Sequence, residues 1–175
     1  MVPLFNPFQL AWVTNDLERS MALFRDEYGV PEFMVIESRF PAVVQGQTGE
    51  MFLGIALANV DDKQFELIQP MGGGVDFIYR DVLPADGSFA NVFHHVCILI
   101  EGPLENWDRH VANLRQSQPI CYTGDPGDQV RFMYTDDRPT LGHYVEHVWY
   151  TEEGAAQLKA AIPHHVSPAW VREHG

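Results

Sequence analysis

The sequence predicts an α+β fold built from two tandem βαβββ modules, and three observations carry that reading. The order strand, helix, strand, strand, strand can be followed twice along the chain, as a structural repeat with little residue identity between its halves. Each half contains one segment whose apolar residues recur at helical spacing. Between the halves, Gly72-Gly73-Gly74, Pro84 and Gly87 interrupt the pattern. The boundaries are a first module over 1–69, a linker over 70–91, a second module over 92–151, and a C-terminal helix and tail over 152–175.

Phe8 to Val13 reads as the first strand. Asn15 is placed to cap the following helix, with Glu18 at its third position. Leu17, Met21, Phe24 and Tyr28 form that helix's apolar face, and Gly29 with Pro31 ends it. Strands are expected over Glu32–Glu37, Met51–Ala58 and Gln64–Gln69, with a long loop from Ser38 to Glu50 containing Gly46 and Gly49. The linker reads as flexible, with one helical turn near Phe77 to Val82.

The pattern restarts with a strand over Val92–Ile100. Gly102-Pro103 opens a helix, where proline's missing N–H costs nothing, and Leu104, Trp107, Val111 and Leu114 form its apolar face. Three strands follow, over Ile120–Thr123, Gln129–Thr135 and His143–Tyr150, with turns at Asp125-Pro126-Gly127 and Asp136-Asp137-Arg138-Pro139. Glu152–Ala161 reads as a short helix, and Pro163–Gly175 as a surface arm.

Composition narrows the function classes. The formal net charge is −13, with 11 basic against 24 acidic residues. Such a surface repels phosphate backbones and argues against nucleic-acid partners. The longest apolar runs fall far short of the ~20 residues of a membrane helix. The apolar N-terminus lacks the basic start of a secretory signal, so a cytoplasmic location is expected. Two cysteines cannot build a disulfide framework, and Cys97 reads as a buried, inert thiol.

The chemistry lies in four residues. Gln9 precedes Asp16 by seven positions, as His95 precedes Gly102, so both fall near the start of a first strand. Glu66 and Glu146 fall in the last strands of their modules. If the modules pair about a pseudo-two-fold axis, the four side chains converge. Amide oxygen, imidazole nitrogen and two carboxylates suit a divalent metal. A carboxylate inside an apolar strand is costly to bury unless it is paired or bound to metal. Taken singly, each residue has a plainer reading: Gln9 as a strand-end amide, His95 as a core histidine, Glu66 as a solvated edge carboxylate, Glu146 as the partner of a histidine. The shared register favours the joint reading. His94 is expected on the opposite face from His95, in a structural role. His143 and His147 are likewise expected to face away from Glu146, toward solvent or an interface.

Four segments in this order carry a resemblance: Gln9–Ser20, Phe65–Pro70, Phe93-His94-His95-Val96 and Gly142–Glu146. With them the chain resembles the vicinal oxygen chelate superfamily, which includes glyoxalase I, methylmalonyl-CoA epimerase, extradiol dioxygenases and bleomycin-resistance proteins. The resemblance covers residues 7 to about 150. It implies a cup-shaped mixed β-sheet with helices outside. It also implies Gln9, Glu66, His95 and Glu146 as ligands of one divalent ion: Zn, Ni, Co, Mn or Mg. Substrate oxygens chelate that ion, and Glu146 or Glu66 removes a proton beside a carbonyl, as in the lyase and isomerase branches.

An extradiol dioxygenase with Fe(II) is the alternative enzyme, but it generally uses two histidines and one carboxylate, and Gln9 and Glu66 depart from that. A binding protein of the bleomycin-resistance kind is the non-enzymatic alternative. Tyr134 and Tyr144 are expected to line the cup, and with the shortage of basic residues they lean toward a small, apolar or aromatic substrate. The family's habit of dimerising implies a homodimer.

Overall fold

The computed structural model describes residues 5–114 and 118–168. Strand β1 (Gln9–Thr14) leads into helix α1 (Leu17–Tyr28), then β2 (Met34–Val44), β3 (Gln47–Val60), β4 (Lys63–Gly72) and the short α2 (Phe77–Arg80). The second half runs β5 (Asn91–Leu99), α3 (Leu104–Leu114), β6 (Ile120–Gly124), β7 (Val130–Thr135), α4 (Arg138–Leu141) and β8 (Tyr144–Tyr150). Helix α5 (Glu152–Ala161) and a two-residue strand β9 (His164–His165) follow. The order β2-β6-β7-β8-β5-β1-β4-β3, together with a β2–β3 pairing, closes eight strands into a ring, with β9 added beside β3. The α+β cup expected from the sequence is therefore present.

Three apolar clusters fix the layers. Leu17 and Phe24 of α1 pack outside on Ala56, Ala58 and Leu67, and Trp107 and Leu114 of α3 pack outside on Val96, Ile98 and Val145. The third cluster fills one end of the interior, where Ile78 and Tyr79 of α2 meet Phe40, Met51, Tyr122, Tyr134 and Tyr144. So α2 plugs one end of the barrel, while the strand ends at Gln9, Lys63, Leu99, Tyr150 and Val130 surround the other. No helix among the described residues is long and apolar enough to cross a membrane.

Several local expectations are corrected. The segment Ser38–Glu50 is no loop: β2 and β3 form an antiparallel hairpin paired from Met34↔Leu57 to Val44↔Gln47. Its two-residue turn holds Gln45 and Gly46 at φ 50° and 81°, the left-handed pair that matches strand twist. Phe40, Ala42 and Val44 are buried while Arg39, Pro41 and Val43 are exposed, so the period is two despite the proline. Asp16, not Asn15, caps α1 by accepting from the Arg19 N–H. Asn15 instead ties the linker down, donating to the Gly87 and Ser88 carbonyls and accepting from the Ala90 N–H. Tyr28 and Leu104 lie exposed, off their expected apolar faces. The surface arm begins as β9, paired parallel to β3 at Asn59 and Val60; residues 169–175 lie outside the described residues.

The glycine run is held rather than free. β4 continues to Gly72, and the Gly73 carbonyl accepts from the Glu50 N–H at 3.1 Å. Gly73 has φ 99°, and a Cβ there would run into the Glu50 carbonyl. Gly73→Ala is accordingly expected to cost about 2 kcal/mol or more, combining left-handed strain with a backbone clash. A urea melt of the variant checks this; an unchanged midpoint would mean the Gly73–Glu50 contact does not persist.

Candidate metal centre

The register places the four sequence-derived residues on the interior face. Ala11 of β1 pairs with Glu66 on one side and His95 on the other, and His95 pairs with Tyr144. Two residues earlier, Gln9 pairs with Gln64 and Cys97, Cys97 with Glu146, and Glu146 with Tyr134. Residues two apart on a strand share a face, so both rungs point inward. Ala11 stands between the carboxylate of Glu66 and the imidazole of His95. Its methyl side chain leaves them room to meet, and its position two residues after Gln9 is the signal that could have marked it.

Ligand atoms of Glu66, His95 and Glu146 lie within 4.8 Å of one another. His95 is fully buried, and its Nε2 sits 3.3 Å from Glu66 Oε2 and 3.2 Å from Glu146 Oε2. The Tyr134 hydroxyl is 3.2 Å from the same nitrogen and 2.9 Å from the Tyr79 hydroxyl. Burial alone would lower the His95 pKa, but the Glu146 and Glu66 carboxylates outweigh it and push it up to about 9. Burial pushes Glu66 up, opposed by His95. The Glu66 and Glu146 side chains retain 11% and 14% exposure, so solvent reaches the centre.

Two relays orient this centre. The first runs through histidines. The register skips His94, pairing Ala11 with His95 but Trp12 with Phe93, so His94 is the extra residue of a β-bulge. The bulge overturns the expected strict alternation: both rings come together, with Nδ1 atoms 2.9 Å apart. His94 Nε2 lies 3.0 Å from the Ile78 carbonyl, which only accepts, so this nitrogen carries the proton. The neutral ring's Nδ1 is then an acceptor, and His95 must donate from Nδ1. That leaves His95 Nε2 as the nitrogen facing the two carboxylates. The second relay runs through amides. Gln9 donates from Nε2 to Gln64 Oε1 at 2.7 Å, and Gln64 donates to Asn59 Oδ1 at 3.1 Å. Gln9 Oε1 is consequently buried without a partner, and Glu66 Oε2, though 3.3 Å from His95, accepts no hydrogen bond.

These atoms fit a cation. A neutral His95 presents a lone pair to two carboxylate oxygens; the Tyr134 hydroxyl can donate to that nitrogen, but the facing carboxylates are left for a proton or a metal ion at that point to relieve. The buried, unpartnered Oε1 of Gln9 is one further unused ligand atom. Of the expected pocket residues, Tyr134 reaches the centre through its hydroxyl, and Tyr144 is buried beside the His94 ring, 4.8 Å between centroids. His147 does face away from Glu146, but into the core rather than solvent. It bonds His110 at 3.0 Å and Thr135 at 3.2 Å, because helix α3 covers that face. His143 is half-buried against Phe93.

No family model matches the sequence, and no curated protein matches it. Solved structures do match. A methylmalonyl-CoA epimerase in complex with methylmalonyl-CoA and NH4+ is similar at 17% identity and TM-score 0.57, over 85% of this chain and 96% of that one. A variant of the Streptomyces coelicolor methylmalonyl-CoA epimerase in complex with 2-nitronate-propionyl-CoA is similar at 18% identity and TM-score 0.57, with the same coverage. The Mycobacterium tuberculosis methylmalonyl-CoA epimerase is similar at 14% identity and TM-score 0.54, over 87% and 96% of the two chains. At these identities the likeness concerns the fold, and with the paired modules and interior centre it supports one conclusion: the chain has the vicinal oxygen chelate fold.

Proposed function

We propose that the protein is a divalent-metal-dependent enzyme of the epimerase and glyoxalase type, moving a proton at the carbon beside a substrate carbonyl. The observation that carries this reading is His95 Nε2, turned by its relay toward Glu66 and Glu146 inside the barrel. Gln9 Oε1, Glu66, His95 Nε2 and Glu146 would hold the ion. When bound, it supplies Lewis-acid stabilisation of the negative charge that develops on the substrate oxygen. The chain's residues do the rest. The Gln9–Gln64–Asn59 amide relay fixes one donor oxygen, and His94 fixes the imidazole. One of the two carboxylates takes the proton from carbon, while Tyr134 reaches the centre with a hydroxyl.

The substrate proposed is small and apolar. Basic residues are few, and Arg39, Lys63, Arg80 and Arg138 are engaged by Glu50, Asp62, Asp76 and Asp136. A coenzyme A ester, named with the similar epimerases, brings phosphates that this acidic chain is poorly equipped to meet.

The test is elemental analysis of untagged protein beside a Glu66→Ala, Glu146→Ala double variant, followed by exchange in deuterated water with simple 2-hydroxyketones. About one metal per chain, lost in the variant, and metal-dependent exchange of the proton beside the carbonyl are expected. A wild type that takes up no metal after soaking with Zn, Ni, Mn and Fe(II) would refute the reading and leave a ligand-binding cup. Oxygen uptake with a catechol would move it to the dioxygenases.

A further inference from the structure

The end of the barrel opposite α2 is crossed by the C-terminal segment. Strands β8 and β3 stand four places apart around the eight-stranded ring, hence on opposite sides. The chain leaves β8 at Tyr150, runs through α5 and joins β3 at Asn59 through the Pro163 carbonyl. The segment is lightly packed: only Gly154 and Ile162 are buried between Glu152 and Ile162.

Beneath α5 the wall is incomplete. Strand β2 has 11 residues and β6 only 5, and the two pair just at Ala42, Val43 and Val44. The first half of β2 thus lacks a neighbour on that side, and a gap opens between it and β7. A cavity of ≈ 500 Å³ fills this gap, lined by Met34, Ile36, Val130, Tyr150, Leu158 and Ala161 among others. That volume lies within the range of small-molecule sites, roughly 300–1,000 Å³. No basic side chain lines it, and its one charged residue is Asp128.

Tyr150 joins the cavity to the metal centre. It pairs with Val130, as Val148 pairs with Phe132 and Glu146 with Tyr134, so Tyr150 and Glu146 share the interior face about 13 Å apart along β8. Tyr150 lines this cavity and also a second one, which it shares with Leu99, Pro103 and Ala155. Its hydroxyl makes no hydrogen bond to another described residue. Burial, then Cys97, Glu146 and Glu66, hold its phenol well above the ordinary range, which keeps it a donor.

Resting on the proposed metal-dependent function, we infer that the cavity under α5 binds the uncharged apolar chain of the substrate, and that Tyr150 donates a hydrogen bond to an oxygen of the substrate's chelating head. The occupant is a carbonyl compound with an alkyl or aryl tail. The tail runs from the centre past Tyr150 into the gap between β2 and β7, and α5 closes over it.

The probe is a series of alkyl hydroxamates, from acetohydroxamate to octanohydroxamate, titrated calorimetrically into metal-loaded protein. The hydroxamate head supplies two neighbouring oxygens, and only the chain varies. Affinity is expected to rise about fourfold per added methylene until the cavity is filled. Ala161→Trp should abolish that rise and leave acetohydroxamate unchanged. Tyr150→Phe should weaken every member about tenfold without changing the rise. Acetohydroxamate binding with no dependence on chain length, or a dependence that survives both Ala161→Trp and Leu158→Trp, overturns the inference alone. No acetohydroxamate binding to metal-loaded protein overturns the metal-dependent function on which it rests.

Discussion

Glu66→Gln should leave the metal-free protein as stable as the wild type or more so, yet cost it most of its metal affinity, while His95→Ala should damage both. The opposite signs follow from one geometry. Without metal, the imidazolium of His95, its pKa pushed up to about 9, is the cation between the buried Glu66 carboxylate and the partly exposed Glu146 carboxylate. Removing it strands them, and breaking a buried ion pair costs about 3–5 kcal/mol. Replacing Glu66 by glutamine removes one of two like charges and keeps the shape. It relieves the burial that already pushes Glu66 toward its protonated form. With metal the order changes, because Glu66 supplies charge that neutral glutamine does not. A ligand that binds only the folded chain stabilises it by about 2.7 kcal/mol at a hundred times its dissociation constant. Urea melts with EDTA and with excess Zn or Mn separate the cases. The expected result is a metal-dependent gain in the wild type that is absent from both variants. A gain of equal size in Glu66→Gln would remove Glu66 from the centre; none in the wild type would reduce the cluster to a structural ion pair.

Much of this centre was legible because strand periodicity is rigid. Gln9 and His95 at matching distances before their helices, and Glu66 and Glu146 in the last strands, needed only the two-residue repeat to be brought to one face. The long hairpin was not legible, because Pro41, Gly46 and Gly49 signal a loop when read locally. Pairing along β3 overrides that signal, and Phe40, Ala42 and Val44 bury their side chains regardless. Closure of the barrel by β2 and β6 depends on three residue pairs about eighty positions apart, which no local pattern records. Tyr150 carries no signal in the sequence beyond ending the last strand, because its place beneath α5 comes from where the last helix crosses.

The bulge at His94 is the least legible feature, and it carries the second large prediction. A bulge adds one residue to one strand and leaves no mark in the alternation of types; Phe93-His94-His95-Val96 reads as a regular run. In the fold it turns His94 onto His95 and makes the carbonyl of Ile78, the second residue of the α2 plug, the anchor for the tautomer of His95, the proposed metal ligand. Groups that bond the far nitrogen of a liganding histidine are typically worth 10–100-fold in metal affinity. His94→Phe keeps an aromatic ring between Tyr79 and Tyr144, whose centroids lie 4.9 and 4.8 Å from that of His94, but removes the acceptor. Its expected effect is a loss of about 10–100-fold in metal affinity with the secondary structure intact. His94→Gln restores an acceptor oxygen and should recover part of the loss. A purely structural role predicts a different pattern: Phe would be tolerated for its packing, and Gln, smaller and polar, would be the worse replacement. Metal titration of the two variants therefore decides between orientation of His95 and packing of the barrel's plugged end.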